Sequence, residues 1–134
     1  MNASLPSLPP AQRLTYAQLR EFPEDGRLYE LVEGDLHVSP SPSTRHQRVV
    51  QRILRILEDH VERRGLGEVF VAPLDVVLAD ISVAEPDVLV VLRGGRARVA
   101  EPCIEGPPDL VVEVLSPSRP AYDREVKRSL YARY

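Results

Sequence analysis

The stretch Glu85-Pro86-Asp87-Val88-Leu89-Val90-Val91-Leu92 sets a carboxylate directly against an unbroken apolar run that reads as a strand. Asp and Glu are poor strand formers, and they are almost never buried unless paired or bound to a cation. A second stretch, Pro107-Pro108-Asp109-Leu110-Val111-Val112-Glu113-Val114-Leu115, repeats the arrangement with Glu113 inside the apolar run. Two such acids brought together in a partly dry cleft repel each other, and a hard divalent cation with oxygen ligands relieves the repulsion. Asp87 and Glu113 are therefore the first candidates for metal ligands in a hydrolase. The competing reading has both acids capping sheet edges and facing water.

Outward from these strands, the chain reads as one mixed sheet covered by helices, an α/β (α+β) arrangement. Residues 1–13, with Pro6, Pro9 and Pro10 among small polar residues, read as a flexible leader, and residues 14–134 as one domain. Thr15 with Gln18 makes a capping box for a helix of about two turns, Leu14 can staple to Leu19, and Pro23 and Gly26 stop it. Leu28 to Val32 and Leu36 to Val38 flank Glu33-Gly34-Asp35 as a β-hairpin. The longest helix is expected from Thr44 to Arg64, with Thr44 and Gln47 as a second capping box and Gly65 as the stop. Its apolar stripe is Val50, Ile53, Leu54, Leu57 and Val61, opposite a solvated face carrying Arg48, Arg52, Arg55, Asp59 and Glu62. Strands follow at Glu68 to Val71, Leu74 to Leu78 and Val88 to Leu92. A Gly/Arg loop (Arg93 to Arg98), a strand Leu110 to Leu115 and a helix Tyr122 to Tyr134 complete the order.

The bounds are modest. A chain of 134 residues with 43% hydrophobic content holds one domain and a small core. Its longest apolar run is too short to cross a bilayer, and no basic stretch precedes an apolar one at the start. With one cysteine, Cys103, there is no internal disulfide, which points to the cytoplasm. The net charge of -3 gives no global attraction for nucleic acid. No glycine-rich phosphate loop follows a strand, so no nucleotide cofactor is expected.

Taken together, Tyr29-Glu30-Leu31-Val32-Glu33-Gly34-Asp35, Glu85-Pro86-Asp87-Val88 and Pro108-Asp109-Leu110-Val111-Val112-Glu113-Val114-Leu115-Ser116-Pro117-Ser118 make the chain resemble the bacterial restriction-endonuclease-like proteins with the PD-(D/E)xK nuclease fold. The resemblance runs from about Leu14 to the end. It implies a restriction-endonuclease-like mixed, twisted sheet flanked by helices, and a Mg²⁺-dependent endonuclease hydrolysing DNA, with Mn²⁺ as a possible substitute. It would carry the motif's first acid onto Asp87 and the second onto Glu113. Leu115 stands where the motif's lysine is expected, and the resemblance implies that Lys127 reaches the site from the following helix instead. It also suggests Glu30 as an additional acidic site residue. Family members continue into a further strand, so the domain is expected to be C-terminally incomplete and to associate as a homo-oligomer. The alternative is a catalytically inactive nucleic-acid-binding or structural assembly module on the same fold.

Several residues compete for these roles. Glu85 shares side-chain parity with Asp87, but Asp87 abuts the apolar strand that would hold it. Asp109 shares parity with Glu113 yet lies about 13 Å from it along an extended strand, too far to ligate the same ion. Lys127 has a simpler possible partner in Asp123, four residues earlier, and Glu30 in a cross-strand ion pair. His46 is in register with Val50 and Ile53 and should face the sheet, as a capping or packing residue that lines the cleft. His37, His60 and Cys103 form no zinc spacing with it, and Ser116 and Ser118 lack a nucleophile elbow.

Overall fold

The run Val88–Leu92 is a strand hydrogen-bonded on both sides, and its two faces organise the molecule. The computed structural model describes residues 13–115, 117 and 120–134. Of the expected leader only Arg13 is described, and Ser116 and Ser118 lie outside the described residues. In chain order the elements are α1 (Tyr16–Leu19), β1 (Leu28–Val32), β2 (Asp35–Ser39) and α2 (Thr44–Leu57), which runs into a π-helical turn (Glu58–Glu62). Then come β3 (Gly67–Val71), β4 (Val76–Ala79), β5 (Ser82–Ala84), β6 (Val88–Leu92), β7 (Arg98–Val99), β8 (Ile104–Glu105), β9 (Leu110–Val112) and α3 (Pro120–Arg133).

The expected single sheet is expressed as two ladders. One is antiparallel in the order β3-β6-β9; the other is mixed, β2-β1-β5-β4-β8-β7, with β4 and β8 parallel. The chain passes from the second ladder to the first at Glu85-Pro86-Asp87, where Pro86 is fully buried and offers no N–H to either. The result is a mixed β architecture flanked by helices, with an N-terminal helix and hairpin.

Alternation along β6 explains the layering. Val88 and Val90 join Val69 and Val112 against the stripe Val50, Ile53, Leu54, Leu57 and Val61 of α2 and its π turn. Leu89 and Val91 pack instead with Val76 and Ile104 of the six-stranded ladder. A third cluster, Leu19, Leu31, Leu36 and Val83, seats α1 and the hairpin, with Leu14 beside Leu19. The hairpin turns at Glu33 and Gly34, with φ of 51° and 89°, the pair of positive values a type I′ turn demands.

Local differences from expectation have local causes. Helix α1 is a single turn, although its box forms, with Gln18 Oε1 accepting from the Thr15 N–H at 2.9 Å. The α2 cap is Ser43, whose Oγ accepts from the His46 N–H at 3.2 Å, one residue before the expected Thr44. Strands β5, β7 and β8 are two or three residues long, too short to leave a periodic signal. Strand β9 ends at Val112, so Glu113 lies just beyond the ladder rather than inside a strand reaching Leu115.

Because Leu89 is 0% exposed at the junction of both ladders while Ile56 is 68% exposed, their truncations should diverge. Leu89→Ala is expected to cost about 2–5 kcal/mol in urea unfolding. Ile56→Ala should stay within about 0.5 kcal/mol of wild type.

Candidate active site

Val88 pairs with Val112 in the antiparallel β6–β9 ladder, and the register carried one residue further sets Asp87 opposite Glu113. The Val114 N–H donates to Asp87 Oδ2 at 2.6 Å, which ties the two chain segments together beyond the last ladder pair. On its other side, Asp87 Oδ1 lies 3.3 Å from His46 Nε2, in the first turn of α2. Asp87 is buried, and burial raises its carboxyl above the ordinary aspartate value against the opposing pull of the Val114 N–H, His46 and Lys127.

Helix α3 turns Lys127, Leu130, Tyr131 and Tyr134 inward while Arg124, Glu125, Arg128 and Ser129 stay exposed. The Lys127 ammonium bridges Glu30 Oε2 and Glu113 Oε1, the latter at 3.2 Å. Glu30, 3% exposed on β1, also accepts from the Glu85 N–H at 2.7 Å. One helical turn beyond Lys127, the Tyr131 hydroxyl donates to Glu113 Oε1 at 2.7 Å. Burial pushes Glu113 up to about 7, with Glu30 and Asp87 adding to the rise and Lys127 and Tyr131 opposing it. For Lys127 burial works against the charge, but Glu30 and Glu113 outweigh it and the ammonium is held above the usual lysine value. The side chain of Asp123, the other partner considered for Lys127, lies outside the described residues.

Glu30, Asp87, Glu113 and Lys127, far apart in sequence, thus meet at one cleft of about 1180 Å³ that His46 also lines. The two acids of the Glu85/Asp87 pair separate: Asp87 faces His46, whereas Glu85 interacts with Asp75. Tyr16 donates to Asp75 Oδ2 at 3.1 Å, extending the acidic floor of the same cleft. Asp109 accepts from the Leu92 N–H at 2.8 Å and serves the ladder. Sequence reasoning gave no role to Tyr131, although its place four residues after Lys127 on the inward face was visible; Asp75 carried no signal.

The sequence profile of the Uma2 family, described as "Putative restriction endonuclease", matches residues 15–134. The chain belongs to the Uma2 family. A crystal structure of "a putative nuclease belonging to DUF820" from Anabaena variabilis has a similar fold, with a TM-score of 0.67 at 21% sequence identity over 87% of this chain. The chain spans 65% of that protein's length. Among curated proteins none matches the chain. No helix among the described residues is long and apolar enough to cross a membrane.

Nuclease kinship raises the question of a metal. Among the described residues no three His, Cys, Asp or Glu side chains form a ready-made metal shell. The donor set nevertheless suits Mg²⁺, which is bound through one or two carboxylates and keeps several waters. Asp87 and Glu113 are hard oxygen donors on facing segments, and both Lys127 and Tyr131 meet Glu113 at Oε1.

Glu85 generates a pH test. Burial, Asp75 and Glu30 push its carboxyl up to about 8 from the ordinary value of 4.5. The folded state therefore binds the proton more tightly than the unfolded chain, and this contribution to stability, full below about 4.5, is lost as pH rises through 8. Glu85→Gln should leave the urea midpoint near wild type at pH 5 and raise it relative to wild type at pH 9. Equal differences at both pH values would remove the assignment.

Proposed function

We propose that this Uma2 chain is a Mg²⁺-dependent endonuclease that hydrolyses DNA phosphodiester bonds. The observation that carries the reading is the convergence of Asp87, Glu113 and Lys127, from three elements, on one cleft. Asp87 and Glu113 would hold the ion, with Mn²⁺ as a substitute. Bound there, Mg²⁺ supplies positive charge for a phosphoryl oxygen and lowers the pKa of a water.

The chain's own groups do the rest. The Val114 N–H fixes one oxygen of Asp87, and Tyr131 orients Glu113. An ammonium has three N–H donors; Lys127 directs two to Glu30 and Glu113, and the third is left for a phosphate oxygen as negative charge develops there. Glu30 acts by holding that ammonium over the cleft. Self-association belongs to the same proposal, and a constant monomer mass in light scattering at several dilutions would remove it.

A second reading, a DNA-binding module without turnover, is favoured by Leu115 standing where the motif's lysine is expected and by the commitment of Lys127 to two carboxylates. Cleavage of plasmid and linear DNA with Mg²⁺ or Mn²⁺ separates the two. On the nuclease reading Asp87→Ala abolishes cleavage, and Lys127→Ala lowers turnover by about 10²-fold or more with the fold retained. DNA binding without cleavage, unchanged in Asp87→Ala, supports the module. If calorimetry detects no binding of either ion to the folded protein, the metal-dependent mechanism is wrong.

A further inference from the structure

Resting on the reading of Asp87 and Glu113 as a cation site, we propose that His46 is the positioning residue of that site, holding Asp87 Oδ1 so that the carboxylate faces Glu113 across the cleft. The nitrogen turned toward the carboxylate is Nε2, 3.3 Å from Asp87 Oδ1, and an ionised carboxylate, which only accepts, is complemented there by a nitrogen that carries a proton. The other ring nitrogen, Nδ1, is buried with no hydrogen-bond partner among the described residues. A buried polar atom without a partner is a cost that a residue kept for packing alone avoids, because an apolar side chain of similar size would fill the same space without it. The polar value of the imidazole is therefore spent at Nε2, on Asp87.

The alternative of a helix cap is met by another residue: Ser43 Oγ caps α2, and His46 takes part only through its backbone N–H. Val50, one turn further on, is buried against β6 and β9, so the ring is carried on a helix whose packing is already set. The Val114 N–H is hydrogen-bonded to Oδ2 and the His46 ring stands 3.3 Å from Oδ1, so Asp87 is met from two elements, one at each oxygen, and turning its carboxylate away from Glu113 breaks both contacts. Groups of this kind, which orient a metal-binding carboxylate without touching the ion, typically contribute 10–100-fold to metal affinity.

Calorimetric titration with Mn²⁺ tests this without reference to turnover. His46→Phe keeps a ring but no donor, and His46→Gln keeps a donor near Nε2 but no ring. The expected result is a loss of about tenfold or more in Mn²⁺ affinity for His46→Phe and a change within about threefold for His46→Gln. Should the Phe variant not fold, His46→Asn, whose amide is too short to reach Asp87, takes its place with the same expected loss. Unchanged affinity in the donor-less variant, or a greater loss in His46→Gln than in His46→Phe, overturns the role of His46 while leaving the cation site standing. Absence of Mn²⁺ and Mg²⁺ binding by the wild-type protein overturns both.

Discussion

One ammonium, that of Lys127, sits between the carboxylates of Glu30 and Glu113 and joins the three separate elements that build the site. Glu30 belongs to β1, Glu113 to the chain leaving β9, and Lys127 to α3. A carboxylate as buried as Glu30 is costly unless compensated, and removing the ammonium would leave two like charges facing each other in a place poor in water. A buried ion pair of this kind contributes little net stability over an apolar replacement. Its value lies in position: it holds α3 above the cleft and fixes the face that α3 presents.

The opposite wall of the cleft is built by the junction between the two ladders. Pro86, buried and without an N–H, sits where the chain changes ladder, and its two acidic neighbours are sent to different surroundings. Burial pushes both toward the neutral form; for Glu85 the neighbouring Asp75 and Glu30 add to that push, whereas for Asp87 the Val114 N–H and His46 oppose it. Two carboxyl groups two residues apart, both shifted by burial, thus differ through the partners each one meets. The far end of α3 is anchored by Tyr134, whose hydroxyl donates to Glu33 in the hairpin turn at 2.7 Å.

Much of the framework was legible because it is periodic. The stripe from Val50 to Val61 names the packed face of α2 and its π turn, since side chains three and four apart share a helix face. Glu33-Gly34 names the hairpin, because a type I′ turn needs two positive φ values and glycine takes one without strain. Asp87 and Glu113 stood out because an acid beside an apolar strand demands a partner. Strands β5, β7 and β8 were illegible since two or three residues do not make a period, and the places of β5 beside β1 and of β8 beside β4 rest on pairing between distant segments.

The sequence by itself determined which faces are apolar, where the main turns fall and which acids and lysine require partners, since these follow from side-chain chemistry and local spacing. Only the tertiary structure decided the partnerships. The β6–β9 register sets Asp87 opposite Glu113, and the docking of α3 carries Lys127 to a glutamate ninety-seven residues earlier in the chain. His46 finds Asp87, rather than serving its own helix, for the same reason. Such contacts join segments with no common period, so their identity is fixed by how packed layers align and by the cost of leaving a buried charge alone.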